Sequence, residues 1–192
     1  PVITQKNNSY NVTQFYGCAL HPTAGNDYFL AGAQDNGSQQ FTVPGINSTT
    51  EVTGGDGAFC HIDQDQPQYQ FTQYVYNNYY RSTNGGASFS SVGGGQNTGR
   101  FINPTDYDNQ ANKLYAARGS NQYRRWNDPQ TGTSFSNIGL PDGSGTVSAV
   151  KCSPNTNNRV FFGTGSGNII RTDNAHATPT STTITGGSMP GG

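Results

Sequence analysis

The sequence is short of the residues that helices use most. Its 192 residues include one Glu, one Met, three Lys and four Leu. Because Leu, Glu, Lys and Met are among the best helix formers, the supply of residues alone excludes a helical bundle. Charged residues are also scarce, at 11%, and the formal net charge is −1. A near-neutral chain without a basic stripe lacks the footprint of nucleic-acid binding, so we expect no nucleic-acid partner.

Long apolar runs and paired cysteine motifs are absent as well. No apolar run reaches the roughly eighteen residues that a membrane span requires, so we expect none. The cysteines Cys18, Cys60 and Cys152 share no CxxC spacing, which leaves a zinc ribbon or a redox motif unsupported. Their odd number leaves at least one thiol unpaired. We expect the free cysteines to act as small buried hydrophobic residues.

In their place the chain carries turn residues and aromatic side chains. It has 26 Gly, 22 Thr, 21 Asn, 16 Ser and 14 Gln, with eleven Tyr, ten Phe and one Trp. Hydrophobic content is 31%, yet a disordered chain would be poor in aromatic and β-branched residues. The composition predicts an all-β protein of short strands and tight turns. A surface made soluble by Asn, Gln, Ser and Thr is common in extracellular β-proteins, so we expect a secreted or cell-surface location.

Internal repeats are the strongest signal. Four similar units each open with a short apolar strand that ends before a polar turn, and the third of these inner strands is predicted over Phe101–Pro104. Three further short strands follow in each unit. Equivalent turn positions, 42, 40 and 50 residues apart, are His21, Asp63, Asn103 and Ser153. The approximate units are 15–56, 57–98, 99–146 and 147–192.

Four short strands in each unit of about this length are typical of a β-propeller blade. A β-sandwich also has short strands, but it does not repeat one internal strand order at a fixed period. We therefore predict a β-propeller, or a consecutive part of one, with about four four-stranded blades.

A recognisable turn follows the third strand of the second unit. Ser82–Phe89 resembles the Asp-box (BNR) repeat, Ser-x-Asp-x-Gly-x-Thr-Trp, with Asn84, Ser88 and Phe89 at its Asp, Thr and Trp positions. A stretched version covers 127–135, and 171–174 keeps only its beginning. In such turns Asx side chains bond the backbone and glycines take positive φ. The box indicates a fold and not a reaction.

The stretches Ala31–Ser38 and Thr53–Phe59, with the box, resemble the secreted propellers of Bacteroidota-type bacteria, a group described as BNR-repeat, sortilin-like or xyloglucanase-like. The resemblance covers nearly the whole chain. It implies secretion and a propeller fold, and it is poor in functional information. Members of that group are much longer. The resemblance therefore implies that remaining blades, or another chain, complete the ring.

Strand direction sorts the loops between two faces of the propeller. Loops from second to third strand, and from fourth strand to the next blade, share one face, which we call the connecting-loop face. Polar side chains on these loops are the candidate ligand-binding residues: Asp35, Asn36, Asp56, Asn77, Arg100 and Arg118. Asp35 and Asp56 both lie among glycines, where a ligand can approach the backbone closely.

A carboxylate pair on this face is open to several interpretations. Asp35 and Asp56 could be the acid and the base or nucleophile of a glycoside hydrolase, which the xyloglucanase-like resemblance would suit. They could bind the hydroxyls of a glycan without turnover, with nearby tyrosines as stacking platforms. They could simply cap turns. The chain could also be a purely structural repeat of an adhesin or filament.

Other chemistries have little support in the sequence. Glu51 is the only Glu, and a sialidase needs a Tyr–Glu pair and an arginine cluster that the chain does not offer. The three histidines lie in different units without metal-ligand spacing, so we expect no metal site and no cofactor. Asp63-x-Asp65 and Asp106-x-Asp108 lack the other ligands of a calcium loop, and we expect solvated turn carboxylates there.

Overall fold

The structure is a computed structural model that describes Thr4, residues 13–93 and residues 97–184. These residues form sixteen strands and no helix, so none of them belongs to a helix that is long and apolar enough to cross a membrane. The strands are β1 (Phe15–Leu20), β2 (Phe29–Ala33), β3 (Ser38–Phe41), β4 (Thr50–Thr53), β5 (His61–Ile62), β6 (Gln70–Gln73), β7 (Tyr79–Ser82), β8 (Ser90–Ser91), β9 (Thr105–Asp108), β10 (Lys113–Gly119), β11 (Gln122–Trp126), β12 (Phe135–Gly139), β13 (Val147–Cys152), β14 (Val160–Thr164), β15 (Ile169–Asp173) and β16 (Thr180–Thr183).

The strands form four antiparallel sheets of four consecutive strands each, arranged as a four-blade β-propeller. We number the sheets 1 to 4 in chain order. Within each sheet every strand pairs with its neighbour in sequence, because two antiparallel strands need only a short connection. The predicted fold class, all-β with four-stranded blades, is confirmed.

The predicted inner strand of the third unit is wrong. Phe101–Pro104 lies outside any strand, and β9 begins one residue later, at Thr105. The prediction rested on the apolar pair Phe101–Ile102. In the structure, however, Phe101 is 46% exposed. The strand itself has the polar sequence Thr-Asp-Tyr-Asp, and both Thr105 and Asp108 are buried between sheets.

The turn after each inner strand explains the correct alignment. Asp63 Oδ1 accepts hydrogen bonds from the main-chain N–H groups two and three residues ahead, at 3.0 and 2.9 Å. Asp108 Oδ1 does the same at 3.1 Å for both, and Ser153 Oγ at 3.4 and 3.1 Å. Asp108 therefore takes the place predicted for Asn103. The successive spacings between His21, Asp63, Asp108 and Ser153 are then 42, 45 and 45 residues.

Three apolar clusters fill the interfaces between successive sheets. Leu30 and Ile62 meet between sheets 1 and 2. Phe71 packs edge-on against Trp126 between sheets 2 and 3, with ring centroids 5.6 Å apart. Between sheets 3 and 4 the cluster contains Tyr115, Tyr123, Val160, Phe162 and Ile170. Aromatic rings therefore supply much of the area buried between blades, as the composition predicts.

The turn from Ser82 to Phe89 has the predicted local bonding. Ser82 Oγ accepts hydrogen bonds from the main-chain N–H groups of Asn84 (3.3 Å) and Gly86 (2.9 Å). Asn84 Oδ1 accepts one from Ser88 N at 3.1 Å. Phe89 packs against the cluster between sheets 1 and 2. The side chains therefore bond the backbone of their own turn, and the closing aromatic ring lies beneath it.

The three cysteines are all free thiols, and they differ in exposure. Cys60 is buried, and desolvation raises the pKa of its thiol to about 12. Cys152 is half-buried, and burial raises its pKa as well. Cys18 is exposed, so the expectation of a buried hydrophobic role is wrong for this residue.

Candidate functional site

The structure brings Asp35 and Asp56 together on the connecting-loop face of sheet 1. Asp56 Oδ1 accepts a hydrogen bond from the main-chain N–H of Asp35 at 3.0 Å. Asp35 has a φ of 60°, a conformation that Asp and Asn tolerate better than most residues. Asp56 is half-buried, whereas Asp35 is exposed. One carboxylate thus caps the turn that presents the other to solvent.

Polar and aromatic groups surround Asp35. Tyr16 is 40% exposed, and its hydroxyl donates to Gln34 Oε1 at 2.5 Å. Asn36 is exposed and donates through Nδ2 to the Gln34 carbonyl at 3.0 Å. We call Tyr16, Gln34, Asp35, Asn36 and Asp56 the sheet 1 cluster. It combines an aromatic ring, two amides and two carboxylates, of which Asp35 is exposed and Asp56 half-buried.

Gly55 allows the ring of Tyr74 to pack beside this cluster. Gly55 has a φ of +80°, and a Cβ atom added to it would lie 2.7 Å from the Tyr74 ring. Only glycine fits both the backbone conformation and the close approach. The loop that carries Asp56 is therefore held against sheet 2, which limits its freedom to move.

Three other predicted residues, Asn77, Arg100 and Arg118, form a separate group between sheets 2 and 3. Asn77 is fully buried, and its Nδ2 donates to the Thr98 carbonyl (2.8 Å) and the Ala117 carbonyl (3.1 Å). The amide of Asn77 is thus used inside the protein, where it joins the β6–β7 loop to the β8–β9 loop and to strand β10.

Asn103 is the residue at the centre of this group that sequence reasoning missed. Its Nδ2 donates to Asn77 Oδ1 at 3.1 Å, and its Oδ1 accepts from the main chain of Arg100 at 2.9 Å. The Arg118 carbonyl accepts a hydrogen bond from Gly99 N. The bond to Arg100 is a local turn, but Asn77 is 26 residues away, so the local pattern alone could not show that Asn103 joins the two loops.

The two arginine side chains of this group also have partners within the protein. Arg100 is exposed, but its Nε donates to the Val147 carbonyl at 2.9 Å, which ties the loop to sheet 4. Arg118 Nη1 donates to Gln122 Oε1 at 2.5 Å. The hydrogen bonds therefore divide the six predicted residues into the sheet 1 cluster and this second group.

A cavity of about 250 Å³ lies on the opposite face, between sheets 3 and 4. Asp106 accepts a hydrogen bond from Cys152 N (2.7 Å) and pairs with Lys151 Nζ at 2.9 Å. This contact raises the pKa of Lys151. Lys151 is otherwise well exposed at the rim of the cavity. The acids of this cavity thus have partners within the chain.

The turn carboxylates are less solvated than expected. Asp63 is fully buried, and its Oδ2 accepts hydrogen bonds from the Tyr107 hydroxyl (2.6 Å) and Gln130 Nε2 (2.7 Å). Asp108 is only 8% exposed. The expectation of solvated carboxylates is wrong for both, because their oxygens satisfy main-chain N–H groups at blade interfaces.

His61 and His21 have structural contacts. His61 Nε2 lies 2.9 Å from Thr105 Oγ1, between sheets 2 and 3. Desolvation lowers the pKa of this imidazole to about 4. His21 packs edge-on against Tyr28 and accepts a hydrogen bond from Thr23 N. Among the described residues, no three His, Cys, Asp or Glu side chains are grouped as a metal site.

Comparison with known proteins supports the fold. No protein-family model matches the sequence, and no curated protein matches it. Among solved structures, the chain is similar to an ancestral GH74 enzyme, with a TM-score of 0.65 and 14% sequence identity. The match covers 89% of this chain and 24% of that enzyme, so the chain spans about a quarter of its length. At this identity the likeness shows the propeller fold alone.

Proposed function

We propose that this chain is a binding module of a secreted or cell-surface protein, and that its sheet 1 cluster binds carbohydrate. The observation that carries the proposal is the exposed Asp35, which lies between two amides in the same turn: Gln34, which accepts the Tyr16 hydroxyl, and the exposed Asn36. Carboxylates and amides hydrogen-bond sugar hydroxyls, and an exposed ring can cover the apolar face of a sugar.

The state of Asp56 supports binding over catalysis. Oδ1 of Asp56 already accepts a hydrogen bond from the Asp35 N–H, so this carboxylate helps to hold the turn together. A glycoside hydrolase needs two carboxyl groups free to act on opposite sides of the scissile bond, as acid and as base or nucleophile. Of this pair, Asp35 presents its carboxylate to solvent, whereas Asp56 is half-buried and bonded to the turn.

Retention on immobilised soluble β-glucans and xyloglucan oligosaccharides tests this proposal. We expect wild-type chain to be retained, and Asp35→Ala and Tyr16→Ala to lose most of the retention. Asp142→Ala removes another exposed carboxylate, in the loop between β12 and β13, and serves as the matched control that should bind normally. Loss of binding in the control, or full binding by both cluster variants, would contradict the proposal.

A glycoside hydrolase of the xyloglucanase-like type is the second candidate. It is favoured by the structural likeness to an ancestral GH74 enzyme, together with the adjacent Asp35 and Asp56. This function predicts release of reducing sugar from the same glucans. The release should disappear in both Asp35→Ala and Asp56→Ala. Retention without turnover would favour the binding module.

A purely structural role in an adhesin or filament is the third candidate. It predicts neither retention nor turnover, but an ordered assembly visible by light scattering or electron microscopy. The Asp-box-type turns and the Asn- and Gln-rich surface fit any of the three functions, since they belong to the fold.

A further inference from the structure

In sheets 1, 2 and 3, a side chain from the third strand bonds to the turn of the next sheet. Gln40 Nε2, in sheet 1, donates to the Gly86 carbonyl of sheet 2 at 3.0 Å. Arg81 Nη1, in sheet 2, donates to the carbonyls of Pro129 (3.2 Å) and Gly132 (2.9 Å) in sheet 3. Each acceptor lies in the turn between the third and fourth strands.

The same bond joins sheet 3 to sheet 4. Arg125 Nη1 donates to the carbonyls of Ala175 (2.6 Å) and Ala177 (3.3 Å). In the strand register, Arg171 of sheet 4 holds the position that Arg125 holds in sheet 3. Arg171 is therefore the fourth member of a series whose other members reach the following blade.

Arg171 has no following blade among the described residues. Its Nε lies 3.1 Å from Asp173 Oδ2 within its own sheet, yet this buried atom forms no well-aligned hydrogen bond in the described part of the chain. The side chain is 37% exposed. Among the described residues, no main-chain carbonyl accepts a hydrogen bond from this guanidinium, unlike those of Arg81 and Arg125.

The apolar side chains around Arg171 also lack the burial of their counterparts. Leu30, Phe71 and Tyr115 face the next sheet and are at most 1% exposed. Phe161 holds the equivalent position in sheet 4 and is only half-buried. Ile184, whose main-chain N–H bonds to Ile169 at the start of β15, is 41% exposed. We call Phe161, Ile169, Arg171 and Ile184 the trailing face of sheet 4.

The opposite end of the blade series has a matching aromatic surface. Phe29 and Phe41 stack with ring centroids 4.0 Å apart, and Phe15 packs edge-on against Phe41 at 5.7 Å. Cys18 and Leu20 lie on the same side of sheet 1, and Leu20 is 65% exposed. We call these five residues the leading face of sheet 1.

The strand register shows what kind of side chain packs on the leading face of a sheet. Phe29 and Phe41 hold the positions of Leu114 and Trp126 in sheet 3. Those two residues are fully buried, because Phe71 of sheet 2 packs against them. Strand contacts join sheets 1 and 2 and sheets 3 and 4, and rings and hydrogen bonds join sheets 2 and 3. Within the described ranges, sheets 4 and 1 share no comparably extensive strand contact.

We propose that the trailing face of sheet 4 binds the leading face of sheet 1 in a second copy of this chain, head to tail. Phe161 packs against the Phe29–Phe41 pair as Phe71 packs against Trp126. Arg171 donates to main-chain carbonyls in the turn of residues 42–49 of the second copy. The interface is heterologous, so it closes a ring or continues as a filament. It lies on the blade faces, and its formation is independent of the proposed carbohydrate binding.

Mass measurement by light scattering after gel filtration tests the proposal. One chain has a mass of 20.4 kDa, and we expect wild-type chain to give twice this mass or a higher multiple as its concentration rises. Phe161→Asp and Phe41→Asp should each give the single-chain mass. Phe101→Asp, which alters an exposed ring on the connecting-loop face, is the matched control and should associate like wild type.

Mixing the two interface variants tests directly whether the trailing face of one copy binds the leading face of another. Phe161→Asp keeps an intact leading face and Phe41→Asp an intact trailing face, so an equimolar mixture should form a pair. Circular dichroism checks folding, and Leu20→Asp replaces Phe41→Asp if the latter does not fold. A single-chain mass for wild type at every concentration, or no pair in the mixture, would overturn the proposal. Neither result bears on glycan retention.

Cys18 offers a second readout within the leading face. Since Cys60 and Cys152 are more buried and have raised pKa values, a maleimide reacts mainly with Cys18. We expect labelling of wild-type Cys18 to slow severalfold as concentration rises. In Phe161→Asp the rate should not depend on concentration. Equal dependence in both proteins would contradict the assigned interface.

Discussion

The main-chain N–H of Asp35 donates to the carboxylate of Asp56 across two loops of sheet 1, at 3.0 Å. One aspartate therefore stabilises the backbone that presents the other. If Asp35 binds the proposed ligand, this division of roles separates stability from binding, although both residues carry the same functional group.

Substitutions of Asp56 should change stability in a graded way. Asp56→Ala removes the acceptor and should lower the free energy of unfolding by about 1 kcal/mol. Asp56→Asn retains a carbonyl oxygen that can accept the same bond, so its loss should be smaller. Urea denaturation of the two variants measures the difference. A loss in Asp56→Asn as large as in Asp56→Ala would show that the negative charge, and not the hydrogen bond, stabilises the turn.

A substitution of Asp35 by glycine should leave the stability of the fold unchanged or raise it slightly. Asp35 has a φ of 60°, which glycine adopts at lower cost. We expect Asp35→Gly to unfold at the same or a slightly higher urea concentration, while retention on β-glucan is lost. This pairing of intact stability with lost binding is the signature of a ligand-contacting residue. Strong destabilisation would instead assign the Asp35 side chain to the turn.

The buried Asp63 should be far more sensitive than its neighbour Asp65. Two donors face each oxygen of Asp63, so an amide in Asp63→Asn must point its NH₂ group at donors in either orientation. We expect a loss of about 3 kcal/mol in the free energy of unfolding. Asp65 is exposed, and Asp65→Asn should cost less than about 1 kcal/mol. Equal losses in the two variants would contradict the assigned network.

The propeller was predictable because its apolar strands repeat. The second strands of sheets 1, 3 and 4 have apolar runs, such as Val160–Phe162 in β14, that pack against a neighbouring sheet, and the amino-acid sequence shows these runs directly. The inner strand β9 could not be recognised, because its buried Thr105 and Asp108 look like surface residues until their partners in space are known.

The candidate site was predictable to a similar extent. Strand alternation sufficed to put Asp35 and Asp56 on one face, since direction alone decides where a loop lies. The burial of Asn77 could not be foreseen, because its partners come from a loop 21 residues away and from strand β10, 40 residues away. Long-range hydrogen bonds of this kind leave no trace in local sequence.

Acid should destabilise the fold through His61. Desolvation lowers the pKa of this imidazole from an ordinary 6.5 to about 4, and nearby Asp106 opposes the shift only in part. Between these values the unfolded chain binds a proton that the folded chain does not, so stability falls as pH decreases from about 6.5 towards 4. The full loss is on the order of 3 kcal/mol.

The control for this titration is His61→Gln, which cannot be protonated. Its free energy of unfolding should vary less than that of wild type across the same pH range. Asp173, held by Arg159 and Arg171, has a lowered pKa and loses its contribution only in stronger acid. Identical pH profiles for wild type and His61→Gln would show that another group governs the acid response.

The adjacent glycines Gly85 and Gly86 offer the sharpest test of packing between sheets 1 and 2. Both have positive φ, at 71° and 85°. A Cβ on Gly86 would lie 2.0 Å from the Tyr28 hydroxyl and 2.7 Å from Gln70 Oε1, whereas a Cβ on Gly85 has nothing within 4 Å.

Gly85→Ala should therefore cost only the strain of the backbone conformation, about 1 kcal/mol in the free energy of unfolding. Gly86→Ala adds the clash and should cost about 2–4 kcal/mol in total. Urea denaturation of the two variants isolates the clash, since the backbone cost is shared. The Tyr28 hydroxyl donates to Gln70 Oε1 at 2.5 Å, and equal losses would mean that both side chains move aside freely and that this bond does not hold sheet 1 against sheet 2.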